Sequence, residues 1–207
     1  MNLVRTDKTA LFVATRNRGK VLELVKLLDG LDVEVLCADD FPGMPKVEEN
    51  GATFLENASI KALAGARASG LLTVADDSGL EVDALEGLPG VRSARFAGEP
   101  PDDYKNNMKL LKLMERVPFP RRTARFTSII AVAAPGGRIY PAEGKCEGLI
   151  LEEPRGSGGF GYDPLFYVPA LGKTFAEMTL EEKNMVSHRG KALKNARNIL
   201  QKLLVGI

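Results

Sequence analysis

Apolar and polar positions divide the chain into alternating strand-like and helix-like stretches. Ala10-Leu11-Phe12-Val13-Ala14 is a continuous apolar run of buried-strand type. A polar turn, Thr15-Arg16-Asn17-Arg18-Gly19-Lys20, follows it. Val21, Leu24, Val25 and Leu28 then recur at helical spacing until Asp29-Gly30 stops the helix. Positions 32–37 alternate as a half-buried strand does. Thr53-Phe54-Leu55-Glu56 is a capping box, and the small residues Ala58, Ala62, Gly65, Ala66 and Ser69 predict close packing of its helix on a sheet. A second apolar run, Leu71-Leu72-Thr73-Val74-Ala75, leaves the core through Asp76-Asp77-Ser78-Gly79, which reads as an acidic turn. Positions 80–85 alternate again, and 102–116 predict a helix with Tyr104, Met108, Leu111 and Met114 inward. Positions 123–133 and 138–151 predict two long strands joined by a hairpin at Ala134-Pro135-Gly136-Gly137. The last helix opens at Ser187, a good N-cap, with an apolar stripe at Ala192, Ala196, Ile199, Leu200 and Leu203. This order predicts an α/β fold: a mixed, twisted, elongated sheet with helices on its faces.

At 207 residues and 44% hydrophobic content, the chain is expected to form a single domain spanning 1–207 with an ordinary core. No run approaches the roughly 18 apolar residues of a membrane helix. The first eight residues are polar and lack the apolar centre of a signal peptide, so a cytoplasmic location is expected. Cys37 and Cys146 lie far apart without neighbouring Cys or His, which excludes a zinc pattern and suggests reduced thiols. With 28 basic and 27 acidic residues, the net charge of +1 gives no basis for broad binding to nucleic acid or to a membrane. An anionic ligand must be met by a local cluster.

Several such clusters are present. Strand, polar turn and helix around Thr15 to Lys20 aim backbone N–H groups and a helix dipole at a phosphate. Ala14 and Val21 stand where a P-loop needs Gly and Ser or Thr, so this is not a P-loop. Asn57 and Lys61, four apart, share one helix face. A solvated turn accounts for Ser78-Gly79 but not for an apolar strand that ends in both Asp76 and Asp77. Glu48 and Glu49 are either solvated loop acids or, with Asp77, the oxygen ligands of a magnesium ion. Gly156-Ser157-Gly158-Gly159-Phe160-Gly161 matches the dinucleotide pattern by letter, yet Tyr162-Asp163-Pro164 follows where that pattern needs a helix. The loop still offers close backbone approach and two rings, Phe160 and Tyr162, for stacking. Lys183, His188 (the only histidine) and Arg189 form a donor-rich cluster near a helix start.

Together these pieces suit a Mg-bound nucleoside phosphate. The motifs around Thr15 to Lys20, Thr53 to Ala58, Ala75 to Leu80, Pro89 to Arg95, Gly158 to Pro164 and Ser187 to Leu193 resemble, in order, those of the inosine/xanthosine triphosphate pyrophosphatases. The resemblance runs from about Leu11 to the last helix. Arg16 stands where many members carry a smaller residue. It implies Mg2+-dependent hydrolysis of deaminated purine nucleoside triphosphates (ITP, dITP, XTP) to monophosphate and pyrophosphate, a ligand cleft between two lobes, and a homodimer. On this reading Asp77 orients or deprotonates the attacking water and contacts the metal, supported by Asp76. Glu48 is the expected second metal ligand. Thr15, Arg16, Asn17, Arg18, Gly19, Lys20 and Lys61 hold the triphosphate, with Lys20 and Lys61 also catalytic by charge neutralisation. Ser78 fixes the sugar-phosphate end, and Phe160, Gly161, Tyr162, Asp163, Lys183, His188 and Arg189 form the base pocket. Lys and Arg side chains only donate hydrogen bonds, so such a pocket accepts keto groups and disfavours the amino groups of adenine and guanine. The alternatives are an NTPase that releases orthophosphate and a non-enzymatic nucleotide sensor, whose binding should survive removal of magnesium.

Overall fold

A computed structural model describes residues 9–15, 21, 22, 24, 25, 28, 30, 33–41 and 47–205. Its centre is one seven-stranded sheet in the order β2-β1-β3-β4-β5-β6-β7. The strands are β1 (Thr9–Val13), β2 (Val33–Cys37), β3 (Leu72–Val82), β4 (Thr123–Ala133), β5 (Ile139–Ile150), β6 (Phe166–Val168) and β7 (Lys173–Thr174). The helices are α1 (Phe54–Ser69), α2 (Asp103–Leu113), α3 (Leu180–Val186) and α4 (His188–Val205). β1 runs parallel to β2 and β3, whereas every pairing from β3 to β7 is antiparallel. The sheet is therefore mixed, as the alternation of element types implies.

Residue parity sorts the two faces. Odd-numbered Ala75, Ile129, Ala131 and Ala133 pack under Ala58, Ala62 and Ala66 of α1. Even-numbered Val74, Ile130 and Val132 pack under Ala192, Ala196 and Leu200 of α4, joined by Leu24 and Leu28. Side chains alternate between faces along a strand, so parity decides which helix each β3 residue meets. The far halves of β3, β4 and β5 enter a separate core with Leu110, Met114, Leu165, Phe166 and Phe175. One sheet thus carries two packing units, and the candidate site lies between them.

Two expectations change. Asp76-Asp77-Ser78-Gly79 is not a turn: β3 runs unbroken through it, paired with Ile130, Ile129, Ser128 and Thr127 of β4. The partner strand overrides the turn preference of these residues. On α2, Tyr104 is 73% exposed and Met108 47% exposed. Met114 is buried and Leu111 packs half-buried on the same core, as expected, and the other inward positions are Leu110 and Asn106, the latter held by Ala94 O and Ala97 N–H. Elsewhere the local signals hold. Thr53 and Glu56 exchange capping bonds, Gly190 N–H donates to Ser187 Oγ at 3.1 Å, and Ala134 to Gly137 closes the β4–β5 hairpin.

Candidate active site

β1 stops at Val13, opposite Val74, whereas β3 continues for eight more residues to Val82. Ala14 N–H donates to Val74 O, Leu80 N–H to Ser93 Oγ and Val82 N–H to Leu88 O. Alternate backbone groups face the same edge, so those of Asp76 and Ser78 face the gap between Val74 and Leu80. This is where the parallel half of the sheet gives way to the antiparallel half, at the carboxyl end of β1, a favoured place for ligands in open α/β sheets.

The two aspartates flank that edge from opposite faces. Asp77 points to α1, where Lys61 Nζ lies 3.8 Å from its Oδ1 and 2.8 Å from Glu49 Oε2. Asn57, one turn before Lys61, takes Gly51 N–H on its own Oδ1 at 2.8 Å, and its side chain favours the charged form of Asp77. Burial pushes the Asp77 carboxyl above its ordinary range, partly offset by Lys61 and Asn57. Its Oδ2 is buried with no hydrogen-bond partner among the described residues. Asp76 points to α4, with Arg189 Nη2 at 3.7 Å from its Oδ2. The pair is adjacent in sequence but separated by the sheet, so their mutual repulsion is the smallest of the influences on Asp77.

The acidic partner of Asp77 is Glu49. Glu48, expected to share a metal with Asp77, and Glu49 are both exposed, and it is Glu49 whose carboxylate meets Lys61 and acts on Asp77. The irregular segment before α1 brings the second glutamate of the pair to Lys61. Lys61 itself lies between Glu49 and Asp77. Asn57 escaped the sequence-based list of site residues, although its i,i+4 spacing to Lys61 is the signal that finds it.

On the other face a cavity of about 200 Å³ is lined by Ser78, Phe160, Gly161, Tyr162, Asp163, Lys183, His188 and Arg189, with Ser93, Asp103 and Phe126. Lys183 Nζ pairs with the buried Asp163 carboxylate, which also accepts Phe160 N–H at 2.9 Å. The same ammonium lies 4.9 Å from the centre of the Phe160 ring, which is 67% exposed. Tyr162 differs: its ring is buried and its hydroxyl donates to Ser93 O at 2.8 Å, so of the two rings only Phe160 is exposed. His188 stacks on Phe126 at 4.7 Å. Burial, aided by Arg189 and Lys183, pushes its pKa down to about 3. It is therefore a neutral imidazole at physiological pH, and its Nδ1 has no partner among the described residues.

A smaller cavity at the end of β1 is lined by Thr15, Asp76, Ser128 and Arg189, so Arg189 borders both spaces. Arg16, Asn17, Arg18, Gly19 and Lys20 lie outside the described residues. The arrangement can hold a flat, keto-bearing ring in the larger cavity. It can pass an anionic chain over the β3 edge, and present Asp77, Glu49 and Lys61 beyond it.

A model of the Ham1 family matches residues 11–199. The dITP/XTP pyrophosphatase of Desulforamulus reducens is 60% identical, over 94% of this chain and 97% of that protein. The dITP/XTP pyrophosphatase of Geobacter sulfurreducens is 56% identical, over 89% and 93%. A HAM1 protein from Coxiella burnetii has a solved structure that matches with a TM-score of 0.89 at 40% identity, over 94% of this chain and 99% of that one. A dITP/XTP pyrophosphatase from Mycobacterium abscessus matches with a TM-score of 0.79 at 45% identity, over 89% and 96%.

Proposed function

The chain belongs to the Ham1 family, and from that premise we propose that it hydrolyses ITP, dITP and XTP to nucleoside monophosphate and pyrophosphate. The observation that carries this reading is the open β3 edge, with a carboxylate–lysine cluster on one face and a donor-lined ring cavity on the other. The base lies in the cavity beside Phe160, where Lys183, neutral His188 and Arg189 can donate to keto oxygens. The triphosphate crosses the edge at Ser78 toward Thr15 and the segment from Arg16 to Lys20. Donors of this kind meet another donor when the purine carries an amino group, which selects against ATP and GTP.

Asp77 orients the attacking water and accepts its proton, a task its burial favours because a raised pKa makes a carboxylate a better base. Asn57 favours the charged form of that carboxylate, and Asp76 sets the direction of Arg189. Lys61 neutralises charge next to Asp77. Glu49 and Asp77 offer hard oxygens, and the buried Asp77 Oδ2 without a partner among the described residues fits a cation there. No group of three or more His, Cys, Asp or Glu able to hold a metal occurs among the described residues. Mg2+ takes one or two carboxylates and completes its shell with water and phosphate oxygens. When bound, Mg2+ supplies charge neutralisation on the triphosphate.

A homodimer belongs to the same proposal. The exposed Tyr104 and Met108 on α2 are apolar surface of the kind a subunit contact covers. Light scattering that gives the mass of a single chain removes it. No helix among the described residues is long and apolar enough to cross a membrane.

The role of Asp77 is tested with Asp77→Asn, which keeps the shape but not the base. Turnover of ITP should fall by about 10² or more, while ITP binding measured by calorimetry changes far less. Near-normal turnover in that variant removes Asp77 from the chemistry.

A further inference from the structure

We propose that Asp103 and Asn107, on the first two turns of α2, are positioning residues that set the base-binding loop by holding both sides of Gly161. Gly161 N–H donates to Asp103 Oδ2 at 2.7 Å, and Asn107 Nδ2 donates to Gly161 O at 2.8 Å. The two side chains are four apart, so one helix face presents an acceptor and a donor to one residue of the loop. Neither is needed to cap the helix, because Asp102 does that through Lys105 N–H. Gly161 has φ +59°, a left-handed conformation at which only glycine is free of strain, and it sits between Phe160 and Tyr162.

These bonds close a circuit. Asn106 ties α2 to Ala94 and Ala97, the intervening turn places Ser93 Oγ on Leu80 N–H of β3, and Tyr162 returns to Ser93 O. Without the Gly161 bonds, the loop would be tied to this circuit through Tyr162 alone. On the opposite side of the same turn, Asp163 holds Phe160 N–H and Lys183. The Phe160 ring is thus aimed by fastenings on both flanks. Asn107 also has a buried Oδ1 with no partner among the described residues. A buried acceptor left unpaired is unfavourable, so an apolar residue would suit the packing better if the bond to Gly161 did nothing.

The role rests on the reading of the cavity as a base pocket, and the test separates the two. Asp103→Ala, Asn107→Ala and the conservative Asp103→Asn are compared with the wild type in steady-state ITP hydrolysis with Mg2+. Hydrogen exchange of the amides from Gly158 to Asp163 is followed without nucleotide. Loss of base positioning weakens binding remote from the scissile bond, so KM should rise about tenfold in each alanine variant while kcat stays within about twofold. The amide oxygen of Asp103→Asn still accepts, so that variant should behave as wild type. Exchange at Phe160 and Gly161 should speed up about tenfold in the alanine variants. Unchanged exchange, an unchanged KM, or a loss confined to kcat overturns the proposal. A wild type that leaves ITP intact instead overturns the base-pocket reading, and the exchange result still decides whether the clamp exists.

Discussion

Gly144 is the most informative single substitution in the fold. It lies in β5 opposite Ser128, directly beneath the first turn of α4, which carries His188 and Arg189. A Cβ added there would overlap His188 O and Ala192 N and come within 2.9 Å of Lys191 Cβ. Backbone atoms cannot swing aside as a side-chain end can. The helix is also pinned on either side, by Lys191 Nζ on Lys145 O and Asn195 Nδ2 on Glu143 O, both at 2.8 Å. Gly144→Ala must therefore lift the start of α4 by a distance on the order of 1 Å, enough to cost about tenfold to a hundredfold in activity. Overpacking of this kind costs about 1–3 kcal/mol. For a chain of this length that corresponds to a loss of about 2–12 °C in Tm. The assay is calorimetry together with kcat/KM on ITP. Gly136→Ala serves as the control, since nothing lies within 4 Å of a Cβ there, and both quantities should stay at wild-type values. A Gly144→Ala protein with unchanged Tm and kcat/KM would refute the claim that close approach of α4 to β5 places His188 and Arg189.

His188 should make stability depend on pH. Its folded pKa of about 3 lies below the ordinary 6.5, so the unfolded chain binds the proton first and stability is lost as pH falls from 6.5 toward 3. At pH 5 the loss is about 2 kcal/mol relative to pH 8, and calorimetry of the nucleotide-free protein should show Tm falling by several degrees. It is the only histidine, so His188→Phe should remove most of the slope, whereas equal slopes in the two proteins would contradict its burial as a neutral ring. The raised Asp77 carboxyl acts in the opposite sense, adding stability as pH falls through its folded pKa toward the ordinary value, and the variant comparison separates the two. Arg189→Ala should narrow the ratio of ITP to GTP turnover, and an unchanged ratio would take Arg189 out of base selection.

Much of this was legible in the sequence for reasons that can be named. The capping box of Thr53 and Glu56, the small-residue face of α1 and the Ser187 cap are local signals, read from residues three or four apart, and the structure keeps them. The course of β3 was not legible. Asp, Asp, Ser and Gly in succession favour a turn, and only pairing with Ile130 to Thr127, some fifty residues away, makes them a strand. That pairing also places Asp76 and Asp77 on opposite faces, which adjacency in the sequence conceals. The choice between Glu48 and Glu49 rests on no local signal, because an irregular segment has no period from which to read direction; Glu49 is the one whose carboxylate reaches Lys61. On α2, the apolar letters Tyr104 and Met108 suggested an inward face. Asn106 is buried beside Leu110 instead, because its partners Ala94 and Ala97 belong to a turn whose position no helical period encodes.

The measurement that bears most directly on the central claim is product analysis. The protein is incubated with ITP, XTP, ATP and GTP, with and without Mg2+, and pyrophosphate and orthophosphate are assayed separately. Pyrophosphate from ITP and XTP, little from ATP and GTP, and none after the metal is chelated is the predicted result. Orthophosphate as the product, or ITP bound tightly and left intact in the presence of Mg2+, would contradict it.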